Sequence, residues 1–542
     1  MYQLPRYPFR RPAELDGAPS PRRPVVVVGG GLTGLTLALD LVRRGVPVVL
    51  LDDDDTVGVR GLASRGIVWA QRTLDIFERL GVAPRIVAKG VRWNVGRVLC
   101  ADKPVTSFTL QDQPDLRHNG FANLQQYYVE QYLVQALQAE SLADLRWRNE
   151  VVGLQVHDTH AELQVRTPEG DYALQADWVI ACDGGASPCR KLLGLAPKVY
   201  DRTEDHWIII DVTLLGDCTW PEERWTWLDA SANNGRAVWR HKMADDTWRL
   251  DFQLTEGEDP HDAATPAAMR RRVRALVGDE IAFEVAWSGA WAYRHECLES
   301  MRHGRVLFAG DAAHLVAPFG ARGGNGGVQD ADNLGWKLAM VVGQGVAAGL
   351  LDSYSQERRA AALENIRQAR RSSRFVYPRG LESMQLWRDA IMALAPSLPW
   401  AARLINTGRL SAPAVYGRDS PLVQDEGGAA LPDVVLHQNG ASLHRLLGPW
   451  FTLLCFSDSA ISCVHPMVHV AAVGPHCDDA GRAALQRQLG VSAASGQAWL
   501  IRPDQHIATR RAHDAAFDLA QALAPCMPSS TEPSHAQHPA TA

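Results

Sequence analysis

The clearest pattern of apolar and polar positions lies near the start of the chain, around a glycine-rich turn. Val25–Val28 is a β-branched run typical of a buried strand, and it leads directly into Gly-Gly-Gly-Leu-Thr-Gly at 29–34. A second apolar run, Val46–Leu51, ends in Asp52. Between the two runs, apolar residues recur at the spacing of one helix face: Leu35, Ala38, Leu39 and Val42. Strand, turn, helix and strand in such close succession form a βαβ unit and predict a parallel sheet.

The following part of the chain, to about residue 180, mixes helical and strand periodicity. It predicts helices at Gln71–Leu80 and Leu124–Ala139, and strands at Leu145–Val156, Ala161–Arg166 and Ala176–Ile180. From about 195 to 295, short β-rich runs alternate with turns, which is typical of an inserted and largely antiparallel sheet. These runs are Trp207–Leu215, Ala237–Lys242, Trp248–Leu254 and Phe283–Trp291.

The last part of the chain repeats the alternation of strands and helices. Arg305–Ala309 is predicted to return as a strand to the first domain, and helices are predicted over roughly 326–370. Beyond residue 420 a separate alternation predicts a small α/β unit. Its predicted strands are Phe451–Phe456, His469–Val473, Ala498–Arg502 and Ile507–Arg510, with a helix at Ala480–Leu489.

These patterns divide the 542 residues into several parts, because one hydrophobic core cannot serve so long a chain. We expect a first α/β domain with a helical extension, formed by 24–194 and 296–415, and an inserted β-sheet domain at 195–295. The remaining parts are an extended lead at 1–23, a small α/β domain at 420–525 and a disordered tail at 526–542.

Composition narrows the classes of function. The net charge of −6 gives no reason to expect a nucleic-acid partner. No stretch approaches the roughly 20 apolar residues of a membrane span, and the basic N-terminus lacks the apolar segment of a signal peptide. Nine cysteines, an odd number without a Cys-x-x-Cys pair, predict reduced thiols and a cytoplasmic location. No pattern of metal ligands stands out, so we expect no metal site.

The glycine-rich turn carries the first candidate chemistry. Its pattern is Gly29-x-Gly31-x-x-Gly34. In such a pattern the first glycine allows a tight turn, the second lets the backbone approach a pyrophosphate, and the third lets helix and strand pack closely. Asp52 closes the second strand, where a carboxylate can accept hydrogen bonds from a ribose. The pattern predicts dinucleotide binding and does not separate FAD from NAD.

Two later stretches extend this prediction. Asp183 and Gly184 follow a predicted strand, a turn signal that also fits a cofactor loop. Gly310–Leu338 begins with Gly-Asp, passes through a loop with Pro318 and several glycines, and continues as a helix. A helix N-terminus behind such a loop offers unpaired N–H groups and the positive end of a dipole, which suit a phosphate or a negative cofactor oxygen. Alone, the stretch would also fit a surface loop before a core helix.

In this order the three motifs resemble those of the flavoprotein aromatic hydroxylases, single-component FAD monooxygenases with the para-hydroxybenzoate hydroxylase fold. The resemblance is closest to members that hydroxylate phenols and (3-hydroxyphenyl)propionate-like compounds, and it covers about residues 24–525. It implies an α/β fold with a Rossmann-like FAD-binding domain, an inserted antiparallel β substrate domain and a C-terminal thioredoxin-like α/β domain.

The resemblance also implies the residues that contact FAD. They are Gly29, Gly31 and Gly34 under the pyrophosphate, Asp52 at the ribose, Arg65, Gln126 with Glu130, Asp183 and Gly184 with Arg190, Gly310 and Asp311 at the ribityl chain, and Pro318, Gly323, Gly324 and Asn325 against the isoalloxazine ring. The chain departs from the family at Tyr127, where a proline is expected after the glutamine, and Gln125 is an adjacent alternative to Gln126.

The reaction implied by the resemblance uses NADH or NADPH and O2. The reduced FAD reacts with O2, and the resulting flavin hydroperoxide transfers an oxygen atom to a small phenolic compound, without a metal, a nucleic acid or a membrane. A homodimer fits the family. Two alternatives stay open, namely a tailoring oxygenase for a polycyclic or polyketide substrate and a non-catalytic FAD-binding protein.

The catalytic acid or base is not evident from the sequence. His314, Tyr293, His295 and Arg322 lie near the expected flavin face or on the strand that leads to it. A histidine or tyrosine there could take the proton of a phenol. Alternatively, His314 braces the loop and Tyr293 belongs to the core of the inserted sheet.

Overall fold

The structure is a computed structural model that describes residues 3–17, 21–58, 66–110, 113–216, 220–378, 382–405, 410–460, 463, 465–512 and 519–527. Up to residue 192 its strands and α-helices are β1 (Arg23–Val28), α1 (Leu32–Arg43), β2 (Val48–Asp52), β3 (Val68–Ala70), α2 (Gln71–Arg79), α3 (Ala83–Lys89), β4 (Val91–Trp93), β5 (Val95–Cys100), β6 (Lys103–Thr109), β7 (Phe121–Asn123), α4 (Gln126–Gln138), β8 (Ala143–Trp147), β9 (Glu150–Val156), β10 (Ala161–Thr167), β11 (Gly170–Ala181) and α5 (Pro188–Leu192).

The middle of the chain contains the longest strands and helices. They are β12 (Lys198–Leu215), β13 (Arg224–Ala230), β14 (Arg236–Lys242), β15 (Thr247–Gln253), α6 (Pro260–Ala263), α7 (Pro266–Val277), β16 (Ala282–Cys297), β17 (Arg302–His303), β18 (Val306–Phe308), β19 (His314–Leu315), α8 (Arg322–Gly343), α9 (Leu350–Val376), α10 (Glu382–Leu394) and α11 (Pro399–Ala402). The C-terminal part adds β20 (Phe451–Cys455), β21 (Val468–Ala472), α12 (Asp479–Leu489), β22 (Gln497–Ile501), β23 (Ile507–Ala512) and α13 (Leu519–Leu523).

The first sheet confirms the predicted βαβ unit. Its strands follow the order β17-β18-β11-β1-β2-β8, and β1 pairs in parallel with both β2 and β11. The side chains of Val25–Val28 are buried, because helices cover a parallel sheet on both faces. Helix α1 packs against the long helix α8. The mixed α/β class predicted from the sequence is therefore confirmed.

The second sheet is larger than the sequence indicated. Its order is β19-β16-β12-β15-β14-β13-β5-β6, and the pairing is antiparallel except between β13 and β5. The sequence limited this sheet to 195–295, whereas β5 and β6 join it from 95–109, and β19 joins it from beyond residue 295. The pairing of β5 with β13 joins residues far apart in sequence, so the local pattern does not reveal it. Helix α7, which was not predicted, packs on one face of the sheet.

The C-terminal unit forms a sheet of its own in the order β21-β20-β22-β23. β20 and β21 run in parallel, and β22 pairs in antiparallel with both β20 and β23. This topology is compatible with the thioredoxin-like unit, which stays a prediction. Among the described helices, none is long and apolar enough to cross a membrane.

A buried ionic cluster joins this unit to the helices of the first domain. Glu357 of α9 accepts hydrogen bonds from Lys337 of α8 at 2.7 Å and from Arg502, next to β22, at 2.7 and 2.9 Å. Arg502 also pairs with Asp504 at 2.7 Å, and all four side chains are at most 2% exposed. Burial lowers the pKa of Lys337 to about 8, although Glu357 opposes this shift. Burial disfavours ionised Glu357, but Arg502 and Lys337 overcome it and lower its pKa. Buried charges persist only when they are paired, so the cluster fixes the C-terminal unit on α8 and α9.

We predict that Glu357→Gln destabilises the protein by about 3–5 kcal/mol, because it leaves the buried Lys337 without its carboxylate and removes one of the two carboxylates that bind Arg502. Urea unfolding followed by tryptophan fluorescence measures the shift in midpoint. The matched control is Glu364→Gln on the same helix, since Glu364 is half-exposed and pairs with the exposed Arg367. It should change stability by less than about 1 kcal/mol. Equal midpoints for the two variants would contradict the role of the cluster.

Candidate active site

The turn between β1 and α1 can be built only with glycine at two of its positions. Gly29 has a φ of +105°, and a Cβ there would lie 2.5 Å from the carbonyl oxygen of Cys182. A Cβ on Gly34 would lie 2.0 Å from the carbonyl oxygen of Gly29. Gly31 immediately precedes α1, whose first-turn amides point away from the helix. The turn thus allows the close approach that a pyrophosphate requires.

A buried carboxylate connects α1 to α4. Glu130 accepts hydrogen bonds from the backbone N–H groups of Leu32 at 3.0 Å and Gly58 at 2.7 Å, and from Gln126 Nε2 at 2.8 Å. Burial raises the pKa of Glu130. Gln126 Oε1 accepts from the N–H of Gly66 at 2.9 Å. The two side chains therefore bind the backbone of Gly58 and Gly66. The predicted FAD contact Arg65 lies outside the described residues.

Asp52 lies beside the glycine turn at the end of β2. Its carboxylate accepts hydrogen bonds from the N–H groups of Gly30 and, at 2.8 Å, Asp54. Burial raises the pKa of Asp52 to about 7. The position at the carboxyl end of the strand fits a contact with ribose hydroxyls.

The two Asp/Gly motifs of the middle of the chain are brought together by Arg190. Its guanidinium donates to the carbonyl oxygens of Ala312 at 2.8 Å and Gly185 at 2.5 Å. Asp183 accepts from Ser187 Oγ at 2.6 Å and from the N–H of Cys189 at 2.8 Å, so its carboxylate closes its own turn. The half-buried Asp311 lies next to this junction, as a contact with a ribityl chain requires.

His314 braces the loop from within. Its Nε2 lies 2.7 Å from Asp330 Oδ2, which also accepts from the N–H of Gly310 at 2.9 Å. Asp330 Oδ1 accepts from Arg358 Nε at 2.6 Å. Burial disfavours the ionised Asp330, but His314 and Arg358 overcome it and lower its pKa to about 2. This geometry supports the alternative in which His314 is structural.

The start of α8 faces the start of α1. A Cβ on Gly324 would lie 3.3 Å from Leu32 Cδ2, and Leu32 is the first residue of α1. Asn325 anchors this end of α8, since its Oδ1 accepts from the N–H of Ala70 at 2.9 Å and from Thr73 Oγ1 at 2.6 Å. The first-turn amides of a helix, here Arg322–Gly324, have no acceptor within the helix. Two positive helix ends therefore meet in one region, which favours an anionic ligand.

The remaining candidates surround the loop that precedes α8. Arg322 is buried and donates to Asn365 Oδ1 of α9 at 3.1 Å, and burial lowers its pKa. His295 is fully buried, its Nδ1 accepts from the N–H of Ala317 at 3.4 Å, and burial lowers its pKa to about 4. Tyr293 is half-buried beside Phe319, and burial raises its pKa well above the usual value. The structure does not connect these three residues through hydrogen bonds in the part of the chain that it describes.

The structure points to residues that the sequence did not single out. Phe319, in the loop after Pro318, lies 6.2 Å from Trp207 and 5.2 Å from Trp239 between ring centroids. The same side of the second sheet carries His241 and Asp251. We refer to Trp207, Trp239, His241 and Asp251 as the polar patch. The sequence pattern that could have revealed the patch is the alternation along Thr247–Gln253. Trp248, Leu250 and Phe252 face the apolar core that contains α7, and the residues between them lie on the other face of the sheet.

One group of residues elsewhere could hold a metal ion. The ligand atoms of His157, His160 and Glu162 lie within 4.8 Å of one another at the turn between β9 and β10. His157 is exposed and the other two are half-buried. The sequence analysis did not single out this group and predicted no metal site. The group lies outside the motifs described above.

Comparison with solved structures supports the same fold. The flavin-dependent monooxygenase PieE, in complex with FAD and substrate, superposes with a TM-score of 0.75, at 23% identity, over 94% of this chain and 100% of that chain. A ternary complex of aklavinone-11 hydroxylase with FAD and aklavinone gives a TM-score of 0.73, at 23% identity, over 93% of this chain and 98% of that chain.

Curated relatives match at the level of sequence. The 3-(3-hydroxy-phenyl)propionate/3-hydroxycinnamic acid hydroxylase of Mycobacterium avium (strain 104) is 27% identical, over 82% of this chain and 78% of the relative. The 6-methylpretetramide 4-monooxygenase of Streptomyces rimosus is 28% identical, over 92% of each chain. The profile of the family described as FAD binding domain matches residues 22–369, which is more than half of the sequence. The chain therefore belongs to this FAD-binding family.

Proposed function

We propose that the protein is an FAD-dependent monooxygenase that uses NADH or NADPH and O2 to hydroxylate a phenolic compound. The observation that carries this proposal is the meeting of the N-termini of α1 and α8 opposite the polar patch of the second sheet. FAD supplies the electron transfer from the nicotinamide and the activation of O2. The family match and the names of the relatives support the same activity.

The residues present fit three parts of FAD: the pyrophosphate with its ribose, the ribityl chain and the isoalloxazine ring. Gly29, Gly31 and Gly34 would hold the pyrophosphate at the start of α1, and Asp52 would accept from the ribose. Asp311 would accept from the ribityl hydroxyls. The amides at the start of α8 would stabilise negative charge on the isoalloxazine ring, because the helix dipole adds to their hydrogen bonds.

The aromatic side chains over this region have a protective role. Phe319, Trp207 and Trp239 are each at most 3% exposed and pack edge-to-face or tilted. We infer that they keep water from the reacting centre, since oxygen transfer in an open site would be lost to side reactions with water. Pro318 supports them through the turn in which its carbonyl oxygen accepts from the N–H of Ala321 at 2.9 Å.

The second candidate is a tailoring oxygenase for a polycyclic substrate. The relative from Streptomyces rimosus, named for a pretetramide, matches over nearly the whole length of both chains. A cavity of about 400 Å³, lined in part by Ala237, Gln253 and Tyr377, extends beside the second sheet and would enlarge the space for such a substrate. A homodimer and a cytoplasmic location stay predictions.

The proposal predicts a yellow protein whose oxidation of NADH or NADPH is accelerated by the right aromatic compound. A panel of monocyclic phenols, phenolic acids and polycyclic phenols is screened with the FAD-loaded protein, and products are examined by mass spectrometry. We expect at least one compound to accelerate oxidation and to gain one oxygen atom that comes from labelled O2. A panel in which no compound is oxygenated would contradict the proposal.

We predict that Asp311→Ala weakens FAD binding by about tenfold or more, because the ribityl hydroxyls lose a charged acceptor. FAD content after gel filtration and the dissociation constant from fluorescence titration measure the effect. The control is Asp158→Ala at the exposed turn after β9, which should retain the FAD content of the unaltered protein. Unchanged affinity in Asp311→Ala would remove Asp311 from the site.

A further inference from the structure

The polar patch contains buried polar atoms that lack partners. Trp207 Nε1, Trp239 Nε1, His241 Nδ1 and Asp251 Oδ1 make no hydrogen bond with any residue that the structure describes. Their side chains are between 0 and 8% exposed. Buried polar groups in native proteins are nearly always hydrogen-bonded, because each unpaired group has lost its contact with water without compensation. Four such atoms in one place therefore require an explanation.

The four side chains lie on one side of the second sheet. Trp239 of β14 stands directly opposite Asp251 of β15, and His241 stands opposite Arg249, two residues further along the same strands. The rings of Trp207 and Trp239 are 4.7 Å apart. Side chains two residues apart on a strand share a face, so all four lie on the face on which Trp207 and Trp239 pack against Phe319. The patch thus faces the region proposed for the isoalloxazine ring.

The donors and acceptors of the patch indicate which polar groups a ligand must carry. An indole N–H only donates, so Trp207 and Trp239 require an oxygen acceptor such as a carbonyl or carboxylate. An ionised Asp251 only accepts, so it requires a hydroxyl that donates. The neighbouring Arg249 does not donate to Asp251 Oδ1; its Nε and one terminal nitrogen donate to the two oxygens of Asp211 at 2.7 Å each.

The charged and titratable groups around Asp251 come from every strand packed against it. They are Arg249 on its own strand, Asp211 on β12, Arg224 on β13, His241 on β14 and Tyr293 on β16. Burial raises the pKa of Asp251 to about 7; Asp211 adds to the shift, and Arg249 and Arg224 oppose it. Burial, with the charges of Arg224 and Arg249, keeps the pKa of His241 well below its usual value.

We propose that Asp251 takes the proton of the substrate's phenolic hydroxyl while Trp207 and Trp239 bind a second oxygen of the same molecule. The proposal rests on the proposed monooxygenase function and names its substrate class, an aromatic compound with a hydroxyl and a separate oxygen acceptor. The O–H bond of the phenol breaks and an O–H bond to Asp251 Oδ1 forms. The electron pair stays on the phenolic oxygen, which enriches the ring for attack on an electrophilic oxygen.

Binding is tested first, because it does not depend on turnover. FAD-loaded protein is titrated by calorimetry with 3-(3-hydroxyphenyl)propionate and with its methyl ether, which lacks the donor. We expect the phenol to bind about tenfold more tightly than the ether and the preference to vanish in Asp251→Ala. The control Asp246→Ala, at the exposed end of the β14–β15 hairpin, should keep the preference. Equal binding of phenol and ether by the unaltered protein would overturn the proposal.

Turnover is tested with the aromatic compound that is oxygenated fastest. In Asp251→Asn we expect kcat/KM to fall about 100-fold, with unchanged FAD content. Asp251 accepts a proton only when ionised, so kcat/KM should decrease as pH falls below about 7. Asp251→Glu should keep this pH dependence and Asp251→Asn should lose it. An unaltered pH profile in Asp251→Asn would contradict the proposal and leave the monooxygenase function intact.

A second variant covers the case in which substitution of Asp251 prevents folding. Trp239→Phe keeps an aromatic ring and removes one N–H donor. It should weaken phenol and ether binding by a similar factor and leave the pH profile unchanged, whereas an unchanged affinity would remove Trp239 from the site. The phenol could bind preferentially, in a way that depends on Asp251, while no compound is oxygenated. That result would contradict the monooxygenase function and retain the patch as a binding site.

Discussion

Helix α8 is held in place by buried polar side chains, and the arrangement of the rest of the molecule depends on these contacts. Asn325 bonds to β3 and α2, Asp330 bonds to His314 and Arg358, and Lys337 bonds to Glu357. The partners come from β3, α2, β19 and α9. Because an unpaired buried charge is strongly unfavourable, α8 can occupy its position only when all of these segments are in theirs. The helix thereby links β3, α2, the loop before it and, through Glu357, the C-terminal unit.

This fixed position has a direct chemical consequence. The start of α8 meets the start of α1, so two helix dipoles act on the same space. Among the acidic residues nearby, Asp330 is paired with a histidine and an arginine, and Glu130 accepts from the first amide of α1. Asp52 and Asp311 are the predicted acceptors for sugar hydroxyls. On the opposite side lies the polar patch of the second sheet, with its aromatic and polar side chains. Cofactor and substrate chemistry are thus divided between an anion-binding side and a substrate-binding side.

The parts of this arrangement that follow from local sequence could be predicted. Gly29 and Gly34 are required by contacts within a single βαβ unit, and the helix behind Pro318 is evident from its periodicity. The polar patch could not be predicted, because only the pairing of strands places Asp251 opposite Trp239, and only the fold shows that both side chains are buried.

For His314 the sequence suggested a role that the structure does not support. A histidine near a cofactor loop suggests proton transfer, yet its partner Asp330 lies on the following helix and turns it into a brace. The contributions of Gln126 and Asp311 to FAD binding stay predictions.

Calorimetric titration of the flavin-free protein with FAD and with riboflavin tests most directly whether the two helix starts form a cofactor site. Riboflavin carries the isoalloxazine ring and ribityl chain without the pyrophosphate and adenosine. If α1 binds the pyrophosphate and α8 the ring, one FAD binds per chain, and riboflavin binds at least about tenfold more weakly. Equal affinities for the two flavins, or no binding of FAD, would contradict the proposed site.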